Sequence, residues 1–410
     1  MKKQGYKYTE EFGYIPKDWG VSKLGKYIKV QGGYSFNSEN FRKSGVPVIR
    51  ISNILGDDVI IGDDTVYYEP FNIREEYIIE NEDILIAMSG ATTGKVGVYR
   101  YENLAYQNQR VGRFVSISND MVMTYLKQFL KFNTFINELN KSLAQGAQPN
   151  ISSKQIEKIS ITVPNKKEQE KIAEVLGDVD GLIEKTQRLI EKKKNLKTAA
   201  MQKLLSPKDD WSSYIMGEMG STYSGLSGKN KEAFGNGNSL YIPFLNIMNN
   251  PVIDIKALEK VYINDGESQN LCLKDDLFFN TSSETSEEVG MCATLQEDIP
   301  NLYLNSFCFG YRLKQNIKVV PKFLVYLFRG QYGRTIMQIL AQGSTRYNLP
   351  KDKFMGCKIT LPKYEEQRGT VVILSDMDKE IEALEKELSK YKNLKTGMMQ
   401  ELLTGKVRLI

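Results

Sequence analysis

The chain has 410 residues, 41% of them hydrophobic, which is enough for about two to four domains with substantial cores. It contains no histidine, which excludes Ser–His and Cys–His nucleophiles and every His-ligated metal site. The formal net charge of +5 permits a nucleic-acid partner without requiring one. The four cysteines lie too far apart for a zinc ribbon, so we expect buried thiols in a cytoplasmic protein without a signal peptide or membrane span.

The first body of the chain is predicted to be mixed α/β. Short β-branched runs such as "VPVIRIS", "DVIIG", "REEYIIE" and "DILIAM" alternate with turn signals. The segment "SGATTGKVG" (89–97) follows the last of these and resembles a phosphate-binding loop. Only three residues separate Gly90 from Gly94, and Val96 follows Lys95, so the spacing and the hydroxyl of a nucleotide-binding loop are missing. A hairpin turn and a contact to a nucleic-acid backbone both remain open.

Two kinds of helix are predicted after these strands. An amphipathic helix is expected near 120–143, with a counterpart near 319–341. A much longer helix follows Pro164, and another follows Pro362. Each carries apolar residues at alternating steps of three and four, which predicts a heptad seam that pairs the two helices. The predicted pairing residues are Leu176, Val179, Ile183, Ile190, Leu196, Leu374, Met377, Ile381, Leu384, Leu388 and Leu394.

The chain contains an internal repeat. The segment starting at Val163 matches the segment starting at Leu361 without a gap, and "KNLKT" recurs at 194–198 and 392–396. The preceding bodies also match, because "DILIAMSGATTGKVG" (83–97) corresponds to "DLFFNTSSETSEEVG" (276–290). We interpret the repeated polar residues as exposed positions that meet the same partner twice. The predicted domains are 1–162 and 207–360, with helical segments at 163–206 and 361–410.

No catalytic, metal or cofactor site is predicted. The chain has no Pro–Pro pair, so the Asn/Asp-Pro-Pro-Tyr loop of amino-methyltransferases is missing. The "FGNGNS" segment at 234–239 lacks a preceding strand and is interpreted as a loop. The acidic pairs do not form the carboxylate cluster that a metal-dependent nuclease needs.

Residues suited to contact DNA cluster beside the predicted strands of both bodies. Arg, Lys, Asn, Gln, Ser and Thr side chains on loops can reach phosphates and base edges. Matching the two bodies at a nearly constant offset makes Lys95 equivalent to Glu288, and Arg50 equivalent to Asn246. Two similar faces with different side chains would read two different sequences. The candidates are Arg50, Ser52, Asn53, Ser89, Thr92, Thr93, Lys95, Asn108, Gln109, Arg110, Gln145 and Gln148 in the first body, and Asn246, Asn249, Ser282, Ser283, Thr285, Asn305, Ser306, Thr345, Arg346 and Tyr347 in the second.

The chain resembles the specificity (S) subunit of type I restriction–modification systems. The resemblance rests on "YKYTEEFGYIPKDW", "VPVIRISNI", "DILIAMSGATTGK", the long segment from "QGAQPNISSKQ" to "LGDVDGLI", and "KNLKTGMMQELLTGKVRL". It implies two target recognition domains separated by an antiparallel two-helix coiled coil, in a mixed α/β fold with a pseudo-twofold repeat. Each domain would read one half of a split, asymmetric DNA site. Two methyltransferase (modification) subunits and restriction/translocase subunits would be the partners and would carry the catalysis.

Three other functions stay open at the sequence level. The chain could be the specificity subunit of a related bipartite methylating or nuclease system. It could be an enzyme with unfamiliar motifs, or an adaptor that binds only proteins through its coiled coil. The "SSETSEEVG" segment of the second domain departs from the "GATxGK" turn of the family.

Overall fold

The computed structural model describes residues 5–143 and 149–409. The chain divides into two compact units. Unit 1 comprises Met1–Gln187 and Glu387–Ile410, and unit 2 comprises Arg188–Lys386. Both units are mixed α/β, and each contains part of both long helices, so the predicted fold class is confirmed. The domain limits at 162, 206 and 360 stay predictions, since the units share the helices.

Unit 1 is built on two sheets. The larger sheet has the strand order β4-β13-β10-β11-β7-β6, and the smaller sheet has the order β8-β5-β12-β9. Two further pairs, β1-β2 and β14-β3, extend the unit. The strands are β1 (Tyr6–Thr9), β2 (Gly13–Pro16), β3 (Gly20–Lys23), β4 (Ile28–Gly32), β5 (Val46–Ile49), β6 (Ile54–Leu55), β7 (Asp58–Val59), β8 (Val66–Tyr68), β9 (Ile78–Ile79), β10 (Ile84–Ala87), β11 (Val96–Val98), β12 (Ala105–Gln107), β13 (Val111–Ser116) and β14 (Ser160–Val163).

The core of unit 1 lies between the larger sheet and its helices. The helices are α1 (Met123–Phe129), α2 (Asn133–Leu143), α3 (Ser153–Glu157) and α4 (Lys166–Leu204). Trp19, Phe114, Phe129 and Leu176 are buried in one continuous cluster. The first part of α4 therefore belongs to the same hydrophobic core as the sheet, and burial of its apolar face stabilises both.

Unit 2 repeats this connectivity. Its sheet β16-β23-β19-β21 has the order of β4-β13-β10-β11, and its sheet β18-β17-β22 has the order of β8-β5-β12. The pairs β15-β25 and β20-β24 complete it. The strands are β15 (Ser212–Ile215), β16 (Gly220–Ser224), β17 (Phe234–Ile242), β18 (Glu259–Val261), β19 (Leu277–Asn280), β20 (Ser282–Ser283), β21 (Cys292–Thr294), β22 (Leu302–Leu304), β23 (Cys308–Leu313), β24 (Tyr347–Asn348) and β25 (Lys358–Leu361).

The helices of unit 2 correct one prediction. They are α5 (Met216–Met219), α6 (Phe244–Asn249), α7 (Pro321–Arg329), α8 (Gln331–Leu340), α9 (Lys351–Met355) and α10 (Tyr364–Leu402). The single helix predicted near 319–341 is two helices, α7 and α8, because Gly330 between them is extended. The helix predicted near 120–143 is likewise two, α1 and α2. A side chain on Gly330 would press against the Tyr326 carbonyl and the Leu205 side chain, so little room is left for one at this break.

The pairing registers correct the two predicted equivalences. Ile86 faces Val96 in unit 1, whereas Phe279 faces Cys292 in unit 2. The turn of unit 2 is therefore about three residues longer, and Met291, which accepts from the Asn280 amide, takes the place of Lys95. The prediction that Glu288 is equivalent to Lys95 is wrong, because the insertion lies between the strands and a constant offset ignores it.

A second register shift changes the equivalent of Arg50. Asn108 donates its amide to the Ile49 carbonyl, as Asn305 does to the Ile242 carbonyl. Ile49 and Ile242 are thus equivalent, and the next residue after Ile242 is Pro243. Arg50 corresponds to Pro243 and not to Asn246 as predicted. Asn246 corresponds instead to Asn53.

The long helices α4 and α10 run antiparallel within each unit. In unit 1 the Lys395 ammonium binds the Asp180 carboxylate, and in unit 2 the Lys197 ammonium binds Asp378. These lysines belong to the two "KNLKT" segments. The expectation that the repeated polar residues all face a partner is therefore wrong for the lysines, which bind the neighbouring helix.

The predicted seam forms only in part. Leu176, Val179 and Ile190 are buried on α4, as are Leu374 and Ile381 on α10. Ile183, Met377, Leu384 and Leu388 are half-buried. Leu196 and Leu394, however, are 48% and 51% exposed, so neither lies in a seam of its own unit. In a straight helix, positions seven residues apart are rotated by about 20° relative to each other about the helix axis. Toward the end of each helix this rotation places Lys197 and Lys395 on the side that faces the neighbouring helix.

Within residues 5–143 and 149–409, no helix is long and apolar enough to cross a membrane. The same described residues contain no cluster of His, Cys, Asp or Glu side chains arranged to hold a metal ion. All four cysteines are buried and unpaired. Burial raises the pKa of the Cys272 thiol to about 12 and that of Cys357 to about 11, so both stay protonated near neutral pH.

Candidate nucleic-acid interface

The loops that carry the candidate residues of unit 1 meet at one edge of its sheets. We call residues 50–53, 89–95 and 108–110 the recognition edge of unit 1. Thr92 donates its hydroxyl to the Ile51 carbonyl at 3.0 Å, which joins the first two loops. The amide of Met88 donates to the Arg110 carbonyl at 2.9 Å, which joins the second and third. Loops so connected form one preorganised surface.

The segment that resembled a phosphate loop is a hairpin turn. It connects the antiparallel strands β10 and β11, and the hairpin alternative is thereby confirmed. Gly90 and Gly94 have φ values of 77° and 86°, which residues other than glycine rarely adopt. Thr93 donates its hydroxyl to the carbonyls of Gly90 and Pro149. These hydrogen bonds of the threonine hydroxyls stabilise the shape of the turn.

Two basic side chains project from this edge. Lys95 and Arg110 are exposed, and neither forms an ion pair with any residue in the described part of the chain. Arg50 is half-buried and donates to the Asp64 carbonyl at 2.9 Å. Ser52 and Gln109 are exposed beside them. Free cations next to free amide and hydroxyl groups suit contact with a phosphodiester backbone and base edges.

Some candidates of unit 1 have structural duties. Asn53 is buried; its carboxamide oxygen accepts the Arg50 amide, and its nitrogen donates to the Ile60 carbonyl. Asn108 is half-buried, and its side chain accepts weakly from the amide of Arg110. Ser89 is half-buried with a hydroxyl that bonds to no described group. Gln145 and Gln148 lie outside the described residues.

Unit 2 presents a matching edge. We call residues 243–249, 281–291, 305–307 and 342–349 the recognition edge of unit 2. The amide of Thr281 donates to the Phe307 carbonyl at 3.0 Å, and the amide of Leu349 donates to the Thr281 carbonyl at 2.8 Å. The strand pair Ser282–Asn348 occupies the place of the Ser89–Asn150 bridge of unit 1. The same construction therefore joins the loops of both units.

The side chains on the edge of unit 2 differ. Asn249, Thr285, Ser306, Thr345 and Arg346 are exposed. The longer turn also exposes three carboxylates, of which Glu288 accepts from the Ser283 hydroxyl at 2.9 Å. Where unit 1 presents Lys95 and Arg110, unit 2 thus presents one arginine and an acidic turn.

The remaining candidate residues of unit 2 form hydrogen bonds or strand pairs within the fold. Asn246 is buried and binds both the amide and the carbonyl of Asp254. The side chain of Asn305 accepts the Phe307 amide at 2.9 Å. Ser282 and Tyr347 are half-buried in the β20-β24 pair. These residues fix loop shape, which is a role the sequence alone did not separate from a binding role.

Sequence reasoning missed an aromatic cluster that adjoins the edge of unit 1. The Tyr34 ring contacts Phe36 and Phe71, and both of these rings contact Tyr106. The local density of Tyr and Phe between positions 34 and 77 was the available signal. The candidates were chosen for the polarity of their loops, so Tyr347 is the one aromatic residue among them.

The contacts of the C-terminal segment were also not predicted from the sequence. Arg408 binds Glu168 and Asp18, and its guanidinium lies over the Trp19 ring. The Trp19 indole donates to the same Glu168 carboxylate at 3.0 Å. Pairing with the two carboxylates raises the pKa of Arg408, despite the opposing effect of burial. No short-range pattern predicts a contact between residues so far apart in the chain.

Comparison with known proteins assigns the family. The family model "Type I restriction modification DNA specificity domain" matches residues 16–194 and again 208–391. The MjaVIII type I restriction enzyme specificity subunit of Methanocaldococcus jannaschii is 32% identical over 48% of this chain, and the chain spans about half of that relative, 48%. The putative MjaX specificity subunit of the same organism is 26% identical over 100% of this chain and 98% of its own length.

Solved structures share the fold. The S subunit of the type I restriction–modification system from M. genitalium matches 95% of this chain and 96% of its own, with a TM-score of 0.59 at 16% identity. A chain from a structure of type I R-M complex assembly and conformational transition matches 96% and 99%, with a TM-score of 0.54 at 13% identity. Because the family model covers most of both repeats, the chain belongs to the type I restriction modification DNA specificity family.

Proposed function

We propose that this chain is the DNA-specificity subunit of a type I restriction–modification complex. The observation that carries the proposal is that two units of like topology gather their loops at a matching edge and present different side chains there. Each edge would contact one half of a split, asymmetric DNA site. Sequence identity would be read at base edges, while phosphate contacts position the protein.

The basic residues of unit 1 are assigned to phosphates and guanine edges. Lys95 and Arg110 are exposed and free of ion pairs among the described residues, so DNA contact breaks no existing bond. Arginine can donate two hydrogen bonds to the O6 and N7 atoms of guanine. Gln109 and Ser52 would contact neighbouring bases. In unit 2, Thr345, Arg346 and Asn249 take these roles.

The catalysis is assigned to partner subunits. The buried cysteines are protonated near neutral pH and cannot serve as nucleophiles, and no histidine is present to act as a base. Two modification subunits would transfer the methyl groups, and restriction/translocase subunits would move and cut DNA. Leu196 and Leu394 hold equivalent positions in the repeat and are half exposed, which suits two copies of one modification subunit.

Methylome sequencing tests this proposal. Cells that carry the chain with its neighbouring methyltransferase gene are compared with cells from which only this chain is deleted. We expect a split, asymmetric methylated motif that disappears with the deletion and returns when the chain is supplied on a plasmid. An unchanged methylome, with the methyltransferase shown to be active, would contradict the proposal and favour an adaptor that binds only proteins.

A further inference from the structure

An aromatic surface adjoins the recognition edge of unit 1. We define it by Tyr34, Phe36, Phe71 and Tyr77. The Tyr34 ring lies 4.9 Å from Phe36, 5.9 Å from Phe71 and 5.7 Å from Tyr77, measured between ring centroids. Phe71 also contacts Tyr106 at 5.5 Å. Because the Tyr34 ring touches the other three rings, the surface is held rigidly before any ligand arrives.

Two of these rings are open to solvent. Tyr34 and Phe71 are each 38% exposed, whereas Phe36 beneath them is buried. With about 150–250 Å² of side-chain surface for an aromatic residue, the two rings together expose on the order of 150 Å². A stable protein interface needs roughly 800 Å² on each partner, so this surface by itself is too small for one. It is large enough to cover a single small apolar group.

Tyr34 is attached to the recognition edge itself. Its amide donates to the Gln107 carbonyl at 2.8 Å, and it pairs with Asn108 in an isolated bridge. Gly33 lies so close to the turn that an added Cβ would stand 2.3 Å from the Asn108 carbonyl oxygen. The exposed ring of Tyr34 is therefore fixed next to the turn that carries Gln109 and Arg110.

Unit 2 lacks this surface. The equivalent of Tyr34 is Leu226, whose amide donates to the Leu304 carbonyl at 2.8 Å. Leu226 is only 3% exposed. The chain that follows it is polar and is held by an ion pair between Lys229 and Glu267, whose side chains are 6% and 19% exposed. The aromatic cluster thus belongs to one recognition edge and is no requirement of the shared fold. The edge of unit 2 exposes a single ring, Phe307, which is 58% exposed.

We propose that Tyr34 and Phe71 contact the 5-methyl group of thymine in the half-site that unit 1 reads. This inference rests on the proposed function and assigns a specificity determinant to it. In the major groove, thymine alone presents a methyl group, and apolar or aromatic side chains recognise it. The nearby Gln109 and Arg110 suit the polar edges of adjacent bases. Glu76 pairs with Arg74 at 3.5 Å, but Glu75 has no ion-pair partner among the described residues, so a phosphate is disfavoured at this surface.

Deoxyuridine provides the test, because it removes the methyl group and leaves every hydrogen-bonding group of thymine unchanged. The chain, assembled with its modification subunits, is titrated with duplexes in which the thymines of one half-site or the other are replaced by deoxyuridine. Burial of one methyl group contributes about 0.8 kcal/mol, so we expect affinity to fall about fourfold per contacted thymine in one half-site.

Variants connect the effect to these residues. In the Tyr34→Ala, Phe71→Ala double variant, thymine and deoxyuridine should bind equally in that half-site. Tyr34→Phe keeps the ring and should keep the fourfold preference, which separates ring contact from a folding defect. Tyr262→Ala removes a tyrosine of unit 2 that is 52% exposed and should also keep it. Thermal unfolding of each complex shows whether the fold is retained.

Several results would overturn the inference. Equal binding of thymine and deoxyuridine in both half-sites would do so, as would a preference that persists in the double variant. A half-site without thymine on either strand cannot be the one that unit 1 reads through these rings. In that case the other half-site must contain thymine, and its preference for thymine over deoxyuridine must disappear in the double variant; a preference that persists there overturns the inference. A complex that shows no sequence preference at all would contradict the proposed function itself, which is a different outcome from a specific complex indifferent to the methyl group.

Discussion

The helix-bearing framework of the two units is nearly the same, while their recognition edges differ. Gln169 accepts the Val122 amide and donates to the Pro164 carbonyl in unit 1. Gln367 makes the matching bonds to Val320 and Pro362 in unit 2. Lys95 of unit 1, by contrast, is replaced by Met291 of unit 2. Residues that hold the framework are repeated, and residues that face solvent at the edges are free to vary.

The units also differ where each long helix begins. In unit 1 the Glu168 carboxylate is buried and bonded to both Trp19 and Arg408. In unit 2 the equivalent Glu366 binds Lys208, whose side chain is 50% exposed, and the buried indole N–H of Trp211 has no described acceptor. In unit 1 the cation that binds this glutamate is Arg408, which is distant in sequence. In unit 2 it is Lys208, which lies three residues before Trp211.

The largest expected change is in the free energy of unfolding when a buried leucine of either long helix is replaced. It tests whether the two units depend equally on these helices. Leu176→Ala and Leu374→Ala each remove a fully buried side chain from an equivalent position. Each should lower the free energy of unfolding by about 3 kcal/mol, through lost burial and a residual cavity. Leu196→Ala and Leu394→Ala are the exposed controls. Chemical denaturation that finds the buried and exposed variants alike would contradict the described packing.

The second effect tests the difference at the start of the helices. Arg408→Ala leaves the buried Glu168 carboxylate without its cation, so we expect a loss of about 2 kcal/mol, below that for a fully buried pair because Arg408 stays partly exposed. Lys208→Ala in unit 2 should cause no measurable change in the same denaturation experiment. If both variants lost equal stability, the described asymmetry would be wrong.

The third effect is a pH dependence in unit 1. Burial would raise the pKa of Asp180, but Lys131, Lys395 and Gln128 outweigh it and hold the pKa below the ordinary value of 3.8. Its ionised form therefore stabilises the fold above pH 4, and this contribution is lost as the pH falls through the lowered pKa. Asp180→Asn should cost about 1 kcal/mol at pH 7, allowing for solvent screening, and less at pH 3. Equal losses at both pH values would exclude this linkage.

The smallest effect sharpens the contrast between the edges. Lys95→Ala should weaken DNA binding by the complex and reduce the slope of log affinity against log salt by about 1. Met291→Ala, at the equivalent position in unit 2, should leave the slope unchanged because it removes no charge. Lys26→Ala is a second control, because Lys26 precedes β4 at the end remote from Tyr34 and the recognition edge. An unaltered slope in Lys95→Ala would leave the hairpin with a structural role only.

Local patterns in the sequence predicted much of the framework. The runs at 46–52 and 83–88 contain β5 and β10, and the prolines at 164 and 362 precede α4 and α10. Alternation and helix-start signals act over a few residues, so they can be recognised without the fold. The repeat then predicted that both halves share one topology.

What the sequence did not predict depends on contacts across the chain. The shift from Glu288 to Met291 follows from a turn length that only strand pairing reveals. Asn53 and Asn246 looked like base-reading residues, and they bind backbone groups inside their loops. The sequence does not reveal whether the side-chain amide of an asparagine is exposed or buried. The candidates therefore included residues that shape the edge as well as residues that project from it.

Methylome sequencing of edge variants tests most directly the central claim that each unit reads one half-site. One strain carries Gln109→Ala with Arg110→Ala in unit 1, and another carries Thr345→Ala with Arg346→Ala in unit 2. We expect each pair of changes to relax or abolish recognition of bases in a different half of the motif, while the other half and the spacer stay fixed. If both variants changed the same half, or neither changed the motif, the account of two independent recognition edges would be contradicted.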